Sequence, residues 1–270
     1  MDLENAKKIF EEYASHFVVK DNKVNVKVKH TMGVMKVAGY IASELHLSED
    51  DVELAKIIGL LHDIGRFEQA IKYDNFDDYN TMDHAEYGVK ILFEDGMIRK
   101  FIDTDEYDEI IKKAIYNHNK FDIEKGLNER ELLHAKIIRD ADKTDNFEVK
   151  QYQDFESLFK SSEQEVEKEK ISAQVWNEFL QEQTIVSSHR VTNIDKWLSY
   201  IAWIYDYNFA PGLKYLKIHD CVNKVINRLD YKQEDTKLKM QYAKEKVEKY
   251  IDNRLNNEWF LVEDVWKLKK

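Results

Sequence analysis

Apolar residues recur at helical intervals along nearly the whole chain. In the segment 24–45, Val26, Val34, Val37 and Ile41 fall on one face, at the i, i+3, i+4, i+7 spacing of a single helix. The same period marks helices over 50–64, 82–93, 105–118 and 128 to about 147, and further ones near 163–182, 194–208, 213–230 and 235–256. Ser48 and Asn128 are suited to N-cap positions, and Gly65 to the C′ position that would end the second helix. The stretch KYDNFDDYNT, 72–81, is a polar, aromatic loop. With 8 Gly and 1 Pro in 270 residues, the chain lacks the turn residues that sheet-rich folds spend, so the predicted class is all-α.

The polar residues on these apolar faces carry the chemistry. His30 shares the face of Val26, Val34, Val37 and Ile41, and His62 that of Leu54, Ile57, Ile58 and Leu61. His84 lines up with Tyr87, Ile91 and Leu92, and His118 with Tyr107, Ile110, Ile111, Ala114 and Ile115. Asp142 follows Ile137, Ile138 and Ala141. A single histidine on such a face is usually a hydrogen-bonded core residue. A carboxylate is harder to bury: uncompensated, it costs several kcal/mol, so Asp142 must be paired, protonated or bound to an ion. Arg139 and Lys143 lie near it in sequence, but neither accounts for the histidines. A divalent ion accounts for all of them, and imidazole with carboxylate suits Fe, Mn, Zn, Ni or Co. His62 and Asp63 would sit about 100° apart on an ideal helix, so both reach one site only where a helix ends. Gly65 is predicted to supply that end.

The order His30, His62-Asp63, His84, His118, Asp142 resembles the HD-domain superfamily of metal-dependent phosphohydrolases, over roughly residues 20–150. The stretches LLHDIGRF, DHAEYGVKIL, AIYNHNK and RDADKTDNF are similar to the ligand segments of binuclear HDIG and HD-GYP members. The chain departs from HD-GYP proteins at Asn119 and in lacking the GYP triplet, and from the HDxxE nucleotidases at Arg66. The resemblance implies an HD-domain helical bundle over 20–150, with additional C-terminal helices over 151–270 packed on it or continuous with it. It implies two divalent ions, one on His30, His62, Asp63 and Asp142, the other on His84, His118 and a shared Asp63. A metal-bridging hydroxide would be the nucleophile. Arg66 and Lys143 would steady the transition state, or else be an ordinary helix-end cation and a local salt-bridge partner. Glu68 and His134 are weaker candidates for a general acid, His134 fitting a hydrogen-bonded core role better. The expected substrate is a small phosphorylated compound or a nucleotide. A di-iron oxygenase resembling myo-inositol oxygenase is the alternative, since His/Asp sets serve both chemistries, and a metal-containing ligand sensor is a third.

Composition narrows the partners. The net charge of −11 disfavours a long nucleic-acid backbone, while leaving room for a small anion at a locally positive pocket. A single cysteine, Cys221, fits a reducing compartment. The N-terminal MDLENAKKIFEEY has no apolar run of the signal-peptide kind, and no segment approaches membrane-spanning length. A cytoplasmic protein is the expectation. The stretch WLSYIAWIYDYNF, 197–209, is expected to pack in a core and secondarily to wall the pocket. The charge runs at 163–170 and 232–249 are read as solvated helix faces.

Overall fold

The structure is a computed structural model that describes residues 1–18, 22–74 and 76–256. Among the described residues every regular element is a helix, and the chain forms two compact units that divide at Asp145 and Asn146.

The first unit begins with α1 (Leu3–Val18), an element not expected from the sequence. Its stripe of Ala6, Phe10 and Ala14 is buried, and the Phe10 ring meets Phe67 edge-on at 5.6 Å. Next come α2 (Asn22–Glu44), α3 (Glu49–Leu61) and α4 (Ile64–Tyr73). Then follow α5 (His84–Val89), which widens into a π-helical turn at Lys90–Glu94, α6 (Ile98–Phe101), α7 (Asp108–Asn117) and α8 (Glu129–Val149). The apolar faces expected from the sequence are the ones buried: Val34, Val37 and Ile41 on α2, Leu54, Ile57, Ile58 and Leu61 on α3, Ile111 and Ile115 on α7, Ile137 and Ile138 on α8.

The caps behave as their chemistry dictates. Ser48 Oγ accepts from Asp51 N at 3.2 Å. Asn128 Oδ1 accepts from Glu131 N at 3.0 Å, and Glu131 Oε2 accepts in return from Asn128 N at 2.9 Å.

Gly65 does not end a helix. It lies inside α4, and its value is the absence of a side chain. A Cβ there would sit 2.3 Å from the His84 carbonyl oxygen and 2.9 Å from Gly88 N, so glycine lets α4 and α5 touch. The break in the predicted 50–64 helix falls earlier, at Asp63, where φ −102° and ψ 15° depart from helical geometry. The chain resumes as α4 to Tyr73, which shortens the loop expected over 72–81.

Asp51, in the first turn of α3, fastens α8. Its Oδ1 accepts from Arg130 Nε at 2.7 Å and His134 Nε2 at 3.0 Å. The His134 bond leads in holding the Asp51 carboxyl below its ordinary range, against a burial effect that would raise it. Burial also lowers the pKa of His134, so its ring stays neutral and donates through Nε2.

The second unit holds α9 (Phe155–Phe159), α10 (Glu163–Val166), α11 (Ala173–Leu180), α12 (Asn193–Ala202), α13 (Ala210–Ile218), α14 (Cys221–Ile226) and α15 (Glu234–Asn256). Its core centres on Trp197, with Phe155 at a ring distance of 5.0 Å, and includes Val175, Phe179, Ile201, Leu213, Val225, Met240 and Val247. The 197–209 stretch therefore packs within its own unit. The charged run of α15 is solvated on one side only: Met240, Ala243, Val247 and Ile251 form its buried stripe. The helix expected over 163–182 is split in two. Buried Asp195 accepts from Ser172 N at 2.8 Å and from Val191 N and Thr192 N at 3.0 and 3.1 Å, which pins the chain where α11 begins. The 213–230 segment breaks at Asp220, which adopts a left-handed φ of 54°. No helix among the described residues is long and apolar enough to cross a membrane.

Asp51→Ala is expected to destabilise the protein by about 1–3 kcal/mol at pH 7, because it strands the His134 and Arg130 donors. Since the folded-state pKa of Asp51 is depressed, its stabilisation is present above about pH 4 and lost as the carboxylate protonates. Urea titrations of wild type and variant should therefore converge as the pH falls below that value.

Candidate metal centre

Helix ends build the site. α2 supplies His30 from its interior. α3 ends at Leu61 with His62 as its C-cap, and the turn at Asp63 lets two consecutive side chains reach one point. His84 opens α5 behind its N-cap Asp83, whose Oδ1 accepts from Ala85 N at 2.9 Å and Glu86 N at 3.1 Å. His118 is the C-cap of α7, and Asp142 projects from α8.

All six predicted ligands converge, in two donor sets that share Asp63. In the first set, His30 Nε2 lies 3.0 Å from Asp142 Oδ1 and 3.8 Å from Asp63 Oδ2. His62 Nε2 lies 3.6 Å from Asp63 Oδ2 and 3.8 Å from Asp142 Oδ1. In the second, His84 Nε2 and His118 Nε2 lie 3.2 and 3.7 Å from the other oxygen, Asp63 Oδ1. The buried trios His30, His62, Asp63 and Asp63, His84, His118 each have the spacing of a metal-ligand set.

Each ring is anchored through Nδ1. His62 Nδ1 bonds the Gly59 carbonyl at 2.7 Å and His118 Nδ1 the Ile115 carbonyl at 2.6 Å. A carbonyl can only accept, so both nitrogens carry the proton and both Nε2 atoms present lone pairs. His30 Nδ1 and His84 Nδ1 each meet a carboxylate oxygen at 2.7 Å, from Asp145 and Asp78 respectively, which sets the same tautomer. The consequence is that His84 Nε2 and His118 Nε2 face each other at 2.9 Å, lone pair to lone pair. His30 Nε2 and His62 Nε2 are buried with no hydrogen-bond partner. Such an array repels itself unless a cation lies among the nitrogens. This is the donor chemistry that a divalent ion fits.

The charges agree. Burial pushes the His62 pKa down to about 3, so the ring stays neutral. Burial likewise leads in lowering His84, with Arg66 adding to it. Asp63 is held well below the carboxylate range: burial works against ionisation, and Lys27 and His62 overcome it. Burial opposes ionisation of Asp142 too, and the adjacent His30 ring overrides it. His30 is the exception: burial disfavours the charged ring, but Asp142 and Asp145 raise its pKa above the ordinary value, so a cation at Nε2 would have to displace a proton there.

Other predicted residues take different places. Arg66 faces two ways, toward a neighbouring loop with its Nη atoms and toward Asp63 with its Nε. Its Nη1 lies 2.7 Å from Gln69 Oε1, the Phe76 carbonyl and Asp78 Oδ1, so it fastens the loop that carries Asp78. Its Nε approaches Asp63 Oδ1 at 3.7 Å. Lys143 is half-buried one position beyond Asp142. Glu68 accepts from the Tyr87 hydroxyl at 2.5 Å, and His134 serves Asp51. Of the loop aromatics, Tyr79 is 95% exposed and Phe76 is half-buried. Arg139 donates to the carbonyls of Asn117, Lys120 and Phe121 at the end of α7.

Sequence reasoning missed Lys27, Asp78 and Asp145. Lys27 Nζ reaches Asp63 Oδ2 at 2.8 Å. Lys27 precedes His30 by three residues, and Asp145 follows Asp142 by three, so both lie at same-face spacing and were open to the periodicity argument. Asp145 needs the glycine opposite it: a Cβ on Gly33 would stand 1.7 Å from Asp145 Oδ1.

The HD domain family model matches residues 28–146, a span that contains all six converging residues. Over that segment the chain is similar to the HD domain. No curated protein and no solved structure matches the chain.

Gly33→Ala is expected to expel Asp145 from His30, and Asp78→Asn to weaken the hold on His84. Each should cost about 10–100-fold in affinity for a divalent ion, the usual scale for partners of metal-binding histidines. Competition with a chelator measures this directly, and equal affinity in the variants would show that the Nδ1 anchors are dispensable.

Proposed function

We propose that the chain is a metal-dependent phosphohydrolase that cleaves a phosphate ester of a small phosphorylated compound or a nucleotide, using two divalent ions. The observation that carries this reading is the division of the Asp63 carboxylate, with Oδ2 facing the His30–His62 set and Oδ1 facing the His84–His118 set. One ion would be held by His30, His62, Asp63 and Asp142, the other by His84, His118 and Asp63. Such ions would supply an acidified water and electrostatic support for the oxygens of an in-line displacement.

The chain's own residues prepare that centre. The Gly59 and Ile115 carbonyls and the Asp145 and Asp78 carboxylates fix the four rings, so little reorganisation is needed when the ions and substrate bind. Helices enclose the imidazoles and keep bulk water from them. Arg66 locks the 76–78 segment beside the second set, a positioning role rather than the grip on phosphate suggested by its place in the motif.

Protein purified without added metal should retain Fe, Mn, Zn, Ni or Co, and should release p-nitrophenol from p-nitrophenyl phosphate or its bis ester. Asp63→Ala should lose activity and both ions, while His84→Ala should lose chiefly the ion of the second set. Unchanged metal content and turnover in His84→Ala would reduce the centre to a single ion. No ester cleavage, together with a mixed-valence EPR signal and O₂ uptake with a polyol or a phosphonate, would replace the hydrolase with the di-iron oxygenase. Thermal stabilisation by nucleotides without any turnover would favour the sensor.

A further inference from the structure

The centre has an accessible side. The four rings and Asp63 are almost fully withdrawn from solvent, whereas the side chains of Asp142 and Lys27 are 25% and 23% exposed. Both flank the His30–His62 set, Asp142 through His30 Nε2 and Lys27 through Asp63 Oδ2. A solute arriving there meets one anion and one cation. An anionic substrate is repelled by the first and attracted by the second.

Two cations touch Asp63, and they differ in what they have left to give. Arg66 Nη1 faces three acceptors, and its Nη2 lies 3.3 Å from Asp78 Oδ2. Its side chain is also the more buried of the two. Lys27 Nζ has three N–H donors, of which Asp63 Oδ2 takes one. The Phe76 ring stands 5.5 Å from Lys27 Nζ and 5.9 Å from Arg66 Cζ. Arg66 thus holds Phe76 by its carbonyl, and the Phe76 ring holds the Lys27 ammonium through a cation–π contact.

We propose that Lys27 is the residue that grips the phosphoryl oxygens of the substrate, with Phe76 and Arg66 as its positioning residues. The assignment rests on the phosphohydrolase reading and goes beyond it, by naming a group outside the His/Asp set and by moving the phosphate contact from Arg66 to Lys27. The ammonium lies within hydrogen-bond distance of the carboxylate shared by both donor sets. An oxygen of a phosphate held there can accept from Nζ without Lys27 leaving Asp63.

The test uses the full-length, metal-loaded protein with inorganic phosphate as probe, titrated by calorimetry, beside KM and kcat on p-nitrophenyl phosphate. Loss of one charge-assisted hydrogen bond should weaken phosphate binding by about 10–100-fold in Lys27→Met. KM should rise by a similar factor, with a smaller change in kcat and with metal content at the wild-type level. Lys27→Arg should recover most of the phosphate affinity, and Phe76→Leu should lose a lesser part. Unchanged phosphate affinity in Lys27→Met would overturn the proposal. So would a fall in metal content in both Lys27→Met and Lys27→Arg, because Lys27 would then be supporting the ions. The phosphate titration needs no turnover. If the wild type binds phosphate through Lys27 but cleaves no ester, the hydrolase reading fails and this one stands; ester cleavage with no effect of Lys27 on phosphate means the reverse.

Discussion

A buried carboxylate governs the first unit. Asp63 is ionised at 4% side-chain exposure, a state that costs several kcal/mol unless the charge is answered locally. The answer comes from separate stretches of chain: Lys27 and His30 on α2, His62 beside it, His84 at the start of α5 and His118 at the end of α7. Convergence of these elements is therefore a condition for the Asp63 charge, and the charge in turn gives a reason for the elements to converge. The imidazoles meet it only in part, since their Nε2 atoms carry lone pairs and the closest two lie 2.9 Å apart. What the carboxylate and these nitrogens have in common is a demand for positive charge between them.

The four rings are oriented by two devices, each used once per donor set. His62 and His118 both stand at helix C-caps and both return Nδ1 to the carbonyl three residues earlier, Gly59 and Ile115. The last carbonyls of a helix lack intrahelical partners, so the end of the helix itself orients the ring. His30 and His84 lean instead on carboxylates, which makes the imidazole a stronger donor at Nε2. These partners come from far along the chain or from a loop, and they need room. Gly33 clears it for Asp145, and Gly65 allows the backbone of His84 to approach α4.

Helix faces and five of the six converging residues were legible because both are written in local periodicity, while Asp63 was legible only as the neighbour of His62 in a stretch that resembles the HD domain. A polar residue on an apolar stripe has to point into the core, whatever the tertiary arrangement. Gly65 was misread for the complementary reason. Its local setting, just past a helix-length apolar run, suits a C-cap, but its requirement is set by the His84 carbonyl on another helix. Asp78 was not legible at all, since its role depends on the path of a loop that Arg66 and Gln69 fasten through three hydrogen bonds. Arg66 stands at its motif position with its donors divided: the Nη atoms fasten that loop, while Nε lies 3.7 Å from Asp63 Oδ1. α1 escaped notice although Ala6, Phe10 and Ala14 carry the same spacing, because no polar residue on its apolar face called for explanation.

The acidity of the chain bears on the substrate through distance. At physiological ionic strength a surface charge is felt over about 8 Å, so the net −11 acts mainly on partners that extend across the surface. A polyanion such as a nucleic-acid backbone would meet that field along its whole length. A small phosphate ester at the centre would meet chiefly the groups beside it. There, Asp78 and Asp145 are offset in number by Arg66 and Lys27, and Asp63 and Asp142 oppose whatever divalent charge the histidines retain. With two ions held, four positive charges stand against those two carboxylates, so the local sign reverses that of the protein. The same anionic exterior that turns away a long polyanion is then compatible with a centre selective for a short one, and Lys27 is the cation standing where that anion would enter.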